Sequence, residues 1–285
     1  MIHKLRPLNN NREGFESLAE LWSLASLLVS RSLELDLSMC TSLDGNMAAP
    51  LGALLAIVAD KLNRTEIVGV LAAIENSLRR NQFLTNYGYP TLEAGPTVLP
   101  FHCFQLTDER LFGEYLKQHL PGKGFPLLTE GAGKVFQQSI FEIFQNAVAH
   151  SESRLGVFVC GQFFPNELRL NLTISDPGIG ICNKVRAFLN KNDLPSEEAI
   201  QWALAGGHTT RTGRRPGGVG LKFMLDFVKR NRGNIQIVSG DGLYGANTGY
   251  DKLHSSLPGT TVNFEVNTAD TQSYHEPNVA PENIF

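Results

Sequence analysis

Cysteine is scarce in this 285-residue chain, and the few present do not cluster. Cys40, Cys103, Cys160 and Cys182 are scattered with no C-x-x-C pair, which argues against a zinc site and against a disulfide framework. Each adjoins at least one apolar residue, so buried free thiols are expected. Long hydrophobic runs are also missing. The longest, residues 48–59, contains Pro50 and falls short of the ~20 residues that a membrane-spanning helix needs. The opening stretch, MIHKLRPLNNNREG, is polar and does not read as a signal peptide, so a cytoplasmic protein without a membrane partner is expected. Nor is there an excess of charge: a net charge of −3 offers no general footprint for nucleic acid. No internal repeat or low-complexity tract interrupts the chain. What is present is an ordinary globular balance, 42% hydrophobic and 19% charged, at a length that allows two modest domains or one large one.

The hydrophobic pattern divides the chain. Residues 15–29 carry apolar side chains at helical spacing, and Leu33-Glu-Leu-Asp-Leu37 alternates as a strand does. An apolar helix over 51–61, a β-rich run at 66–71 and a helix over 72–83 follow, a rhythm that implies a small α/β unit with parallel strands. Residues 87–100 hold three prolines and two glycines, so regular structure pauses there. Beyond it we expect a helix over 111–120, a long helix over 133–150, and strands at 155–160 and 167–174. Helices at 182–190, 196–205 and 219–231 and strands at 234–239 and 260–266 complete the pattern. Helices and mainly antiparallel strands in this order predict an α/β sandwich, one layer of each. The expected division is an N-terminal helical segment (1–32), a small α/β domain (33–100), a connecting segment (101–131), a second α/β domain (132–268) and a mobile tail (269–285).

Three stretches of the second half carry chemistry. On the long helix, residues four apart share a face, so Gln138, Glu142, Asn146 and His150 form one polar stripe against Phe141, Ile143, Phe144, Ala147 and Val148. Such a stripe needs solvent or a bound partner; taken alone it reads equally as a solvated face. In Ile174-Ser-Asp-Pro-Gly-Ile-Gly-Ile181 a strand ends at an acidic residue and enters a tight turn. Asp176 could accept a hydrogen bond from an adenine amino group while Gly178 and Gly180 let backbone approach a flat base, although an ordinary Asp-Pro-Gly turn has the same residues. In Arg211-Thr-Gly-Arg-Arg-Pro-Gly-Gly-Val-Gly-Leu221, glycines precede a helix N-terminus, which exposes N–H groups and a positive dipole end to an anion. No Gly-Lys-Ser/Thr follows, so this is not a Walker A loop, and the full G-x-G-x-x-G of a Rossmann site is lacking.

Taken together and in this order, E-x-x-x-N, then D-x-G-x-G about thirty residues later, then G-G-x-G about forty beyond, the chain resembles the GHKL superfamily of ATPases over residues 132–266. That group includes gyrase B, MutL, sensor histidine kinases and anti-sigma factor serine kinases. Gly259-Thr-Thr-Val-Asn-Phe-Glu-Val266 resembles the strand that brings a threonine to the adenine pocket. The resemblance implies a Bergerat-type α/β sandwich that binds ATP and Mg²⁺. Asn146 would ligate the metal and Glu142 would act as general base. Asp176 would hold the adenine, with Gly178, Gly180 and Thr260 shaping the pocket. Gly217, Gly218 and Gly220 would cradle phosphate, with Arg211, Arg214 and Arg215 in a lid over 208–216, either as phosphate contacts or as solvated side chains. Glu-Ile-Phe-Gln-Asn-Ala-Val-Ala-His150 looks most like the anti-sigma serine-kinase form. The first half, through Leu33-Glu-Leu-Asp-Leu-Ser38 and Ser42-Leu-Asp-Gly-Asn46, is similar to a STAS domain. Phosphorylatable STAS domains place a hydroxyl just after the motif aspartate, but here Gly45 and Asn46 follow Asp44. A generic small α/β domain is the alternative.

These features leave three functions open: a regulatory protein in which Mg-ATP binding and slow hydrolysis control a protein partner, an anti-sigma-type serine/threonine kinase acting on a separate protein, or a non-catalytic nucleotide-binding scaffold. All imply a protein partner or substrate, and a homodimer is compatible with each.

Overall fold

A computed structural model describes residues 1–124, 129–205, 219–272 and 274. The first unit is a parallel sheet of β1 (Ile2–Lys4), β2 (Ser32–Asp36) and β3 (Arg64–Val68), in that order, connected by α1 (Arg12–Ala25) and α2 (Ala48–Asp60). Asn11 starts α1 by accepting the Gly14 N–H at 3.0 Å, which satisfies one of the orphan donors of the first turn. The helix stops four residues earlier than its apolar spacing suggests, where the Lys61 ammonium takes the Ser26 carbonyl at 2.7 Å. α3 (Ala72–Arg80) follows β3, with Ile74 and Leu78 buried.

The second unit is an antiparallel sheet in the order β4-β5-β6-β8-β7, comprising β4 (Val98–Phe104), β5 (Val157–Phe164), β6 (Arg169–Asp176), β7 (Asn234–Gly245) and β8 (Gly249–Asn267). Its helices are α4 (Glu109–His119), α5 (Glu130–His150), α6 (Gly180–Leu189), α7 (Ser196–Leu204) and α8 (Val219–Asn231). The chain is therefore mixed α/β, with one parallel and one antiparallel sheet. Two strands escape the hydrophobic pattern. β1 is only three residues long and is defined by its pairing with β2 (Ile2↔Glu34). β4 runs through Pro100 and across the boundary expected after residue 100; it is an edge strand whose register shifts between Leu99 and His102, the setting in which a sheet tolerates proline.

The two faces of the five-stranded sheet are covered differently. Leu170, Leu172 and Ile174 of β6, with Phe264 and Val266 of β8, join the core formed with Ile140 and Phe144 of α5 and Phe227 and Val228 of α8. Phe112 stacks on Phe144 at 4.2 Å, and Phe136 meets Phe227 at 4.9 Å. The opposite face is not left to solvent as the one-layer-of-each expectation implies. Phe158 and Cys160 of β5 and Val238 of β7 share a core with Leu51, Leu54 and Leu55 of α2. The N-terminal unit thus forms the third layer.

Gly45 and Asn46, singled out for lacking a hydroxyl, lie in that seam. The Gly45 N–H donates to Gln162 Oε1 at 2.7 Å, and its carbonyl accepts from Cys160 Sγ. Asn46 is fully buried and donates through Nδ2 to Thr173 Oγ1 at 2.9 Å and Asn263 Oδ1 at 3.1 Å. All four cysteines are free; Cys40, Cys160 and Cys182 are buried and Cys103 half-buried, and burial pushes every thiol up from its ordinary value. Among the described residues no helix is long and apolar enough to cross a membrane.

Candidate functional site

On α5 the apolar residues Phe136, Ile140, Ile143, Phe144 and Ala147 turn into the core, as the 3.6-residue period requires. The stripe named from the sequence lies on the remaining face: Gln138 is exposed, whereas Glu142, Asn146 and His150 are half-buried. The helix runs straight into Ser151, a buried residue whose N–H donates the next rung of the ladder to Ala147 O at 3.1 Å.

Ser151 then ties the helix to the Asp176 turn. Its carbonyl accepts the Ile179 N–H at 2.8 Å, and the Gly178 Cα lies so close that an added Cβ would stand 2.1 Å from that same oxygen. Only glycine fits there. Gly180 is constrained twice: its φ is +79°, and a Cβ would meet both Gly259 O and Ser239 Oγ at 2.5 Å. At a rise of ~1.5 Å per residue, Asn146 and Glu142 sit about 7.5 and 13.5 Å up the helix axis from Ser151. The helix stripe and the Asp-Pro-Gly turn are thereby brought to one region of the molecule.

Asp176 is the last residue of β6 and is 5% exposed. By strand alternation it belongs to the face that Leu170, Leu172 and Ile174 place in the apolar core. Loss of water pushes its carboxyl up to about 7, against the opposing effect of the Gly178 and Thr260 backbone N–H groups. The Gly178 N–H reaches Oδ1 at 2.9 Å, closing a turn on the side chain itself. The result is a dry carboxylate at a strand end, next to two glycines whose Cα atoms pack against backbone.

Thr260 is the strand partner of Asp176, and its Oγ1 accepts the Ile181 N–H at 3.0 Å. Ile179 offers α6 no side-chain cap, so Thr260 supplies one from the neighbouring strand. This leaves the Thr260 hydroxyl proton to donate elsewhere. Ser239 supports the same corner by donating to Gly259 O at 2.9 Å. Ser151 and Ser239 were not singled out from the sequence; serines at strand and helix ends are too common to signal, and only their partners mark them.

Gly220 is the second residue of α8, which packs beside α5 through the Phe136–Phe227 contact. Arg211, Arg214, Arg215, Gly217 and Gly218 lie outside the described residues. Compared with protein-family models the chain matches none, and compared with curated proteins it gives no match.

Proposed function

We propose that the chain is an ATP-binding regulatory protein of GHKL type, in which Mg-ATP binding with slow hydrolysis controls a protein partner. The observation that carries this reading is Asp176. A carboxylate placed in an apolar layer, compensated among the described residues by two backbone N–H groups, is costly to the fold and makes sense as an acceptor held ready for a ligand's N–H donor. The tight approach of Gly178 to Ser151 and the Thr260 cap give that acceptor a fixed position. In this reading Asp176 takes the adenine amino group, Gly178, Gly180 and Thr260 shape the pocket, and Asn146 holds Mg²⁺. Residues 217–220 and the arginines at 211 and 215 receive the phosphates. The bound ion supplies charge neutralisation at the phosphate oxygens. Glu142, one helical turn from Asn146, orients a water or a hydroxyl and accepts its proton.

The STAS-plus-Bergerat assignment of the two units belongs to the same proposal. It is supported by the parallel three-stranded sheet, in which Asp44, Gly45 and Asn46 follow the second strand, and by the antiparallel sheet with α5 and α8 packed on one face. Burial of Asn46 in the seam speaks against this loop as a phosphate acceptor in cis.

Titration with a fluorescent ATP analogue in the presence of Mg²⁺ tests the site. Asp176→Asn is expected to weaken binding at least tenfold, and Glu142→Ala to retain binding while losing turnover. Wild-type binding should also weaken as pH falls below about 7, because a protonated Asp176 has lost its charge and is a weaker acceptor. Absence of saturable binding by the wild-type chain would refute the reading. Transfer of label from ATP to a second protein would move it to the kinase class, and function surviving Glu142→Ala would move it to a scaffold.

A further inference from the structure

Exposed large apolar side chains gather at one end of the N-terminal unit. Leu27 and Leu62 are 80% and 79% exposed, and Leu24 and Val29 are exposed beside them. They come from the last turn of α1 and from two loops, α1 to β2 and α2 to β3, which are stapled together. The Ser30 N–H donates to Lys61 O at 3.0 Å, Lys61 Nζ to Ser26 O at 2.7 Å, and Asn63 Nδ2 to Leu28 O at 3.0 Å, while Asn63 Oδ1 accepts the Arg31 N–H at 2.8 Å. Ser30 and Leu62 are both held in the left-handed region, with φ of 51° and 60°. A leucine held at positive φ with its side chain in water serves no purpose in the core.

The rim of this patch is basic. No Asp or Glu occurs between residues 21 and 33 or between 61 and 65, whereas Arg31, Lys61 and Arg64 do, and both arginines are exposed. The nearest carboxylates on the helices are already neutralised: Glu20 pairs with Arg6 at 2.9 Å and Asp60 with Arg154 at 3.0 Å. Glu34 and Glu66 stand two residues further along the strands. We infer that this end is a docking surface for a partner-protein segment with an apolar stripe flanked by Asp or Glu. A second copy of the chain would set the arginines against each other across a two-fold axis. A lipid surface is disfavoured because such recognition uses clusters of four or more basic residues. Here there are three, and Lys61 is already committed to Ser26 O and to the Trp22 ring at 5.4 Å. The surface is independent of the nucleotide reading, although it borders that region: Asp60 pairs with Arg154, three residues beyond Ser151.

The test uses the full chain and a labelled amphipathic peptide, with leucine at every third and fourth position and glutamate elsewhere. A lysine counterpart and phosphatidylserine vesicles serve as comparators. Saturable binding of the acidic peptide is expected, weakening with salt. It should fall at least tenfold in Leu27→Ser/Leu62→Ser and in Arg31→Glu/Arg64→Glu, with melting temperatures near wild type because these side chains are exposed. Asp176→Asn should leave it unchanged, so failure here is separable from failure of the nucleotide proposal. No binding of the acidic peptide, equal binding of the lysine peptide, binding to vesicles alone, or self-association abolished by the leucine variants would each overturn it.

Discussion

The two faces of β6, the central strand of the five-stranded sheet, solve burial in opposite ways. Toward α5 and α8, β6 presents Leu170, Leu172 and Ile174, which pack into a core of aliphatic and aromatic side chains. Toward the N-terminal unit the same strand presents Asn171, Thr173 and Ser175, which are equally buried. The polar face is held by a ladder of side-chain hydrogen bonds: Asn46 to Thr173 and Asn263, Thr173 to Asn263 at 2.8 Å, and Ser175 to Thr261 at 2.8 Å. One face gains from displaced water, the other from geometry, since each buried polar atom must find its partner. A polar seam closed in this way also resembles the boundary between two domains more than the interior of one. Asp176 is the exception that links the two faces: it brings a polar group to the apolar one.

The largest expected effect breaks the apolar face. Phe144 is fully buried and ringed by Phe104, Phe112 and Phe141, so Phe144→Ala should cost about 3–5 kcal/mol in chemical denaturation. Asp176 sharpens the contrast through pH. Its carboxyl is raised by folding to about 7 from 3.8, so the folded state holds a proton that the unfolded chain has released. Stability is then greatest below the unfolded value and falls by up to about 1.4 kcal/mol per pH unit as pH rises toward 7. Melting curves of Asp176→Asn should lack that slope and lie above wild type at pH 8. On the polar face Asn46→Ala leaves Thr173 and Asn263 without their shared donor and should cost about 1–3 kcal/mol. Thr173→Val made in that background should cost less than Thr173→Val alone, the signature of one connected network. At the surface, Glu114→Ala removes an exposed pair with Arg110 and should change stability by no more than about 0.5 kcal/mol. A cost from Asn46→Ala as small as that of Glu114→Ala would show that the seam is wet and loosely closed.

Much of this was legible before the structure. The alternation of residues 33–37, the strand pair on either side of Pro165 and Asn166, and the 3.6-residue period of α5 are local signals, and each element is present with ends that differ from its pattern by up to four residues. The positions of Asp176, Gly178, Gly180 and Thr260 around one corner were anticipated by motif order. β1 and β4 were not, because three residues carry no period and a proline-bearing edge strand imitates a loop. Least legible was the polar face of β6. Asn-Leu-Thr-Ile-Ser alternates as a half-solvated strand does, and nothing local says that Asn171 and Thr173 are covered.

By itself, then, the sequence determined most of the helices and strands, β1 and β4 apart, which side chains share a face, and which residues converge in the Asp176 turn. These follow from backbone period and turn chemistry, which act over a few residues. Tertiary structure alone decided that the N-terminal unit closes over the polar side of the second sheet and that Asn46 is a buried donor. It also decided that Asp176 lies in a dry layer with its carboxyl raised. Each of these depends on what packs against a residue from far along the chain, and the desolvation that sets its energy exists only once that partner has arrived.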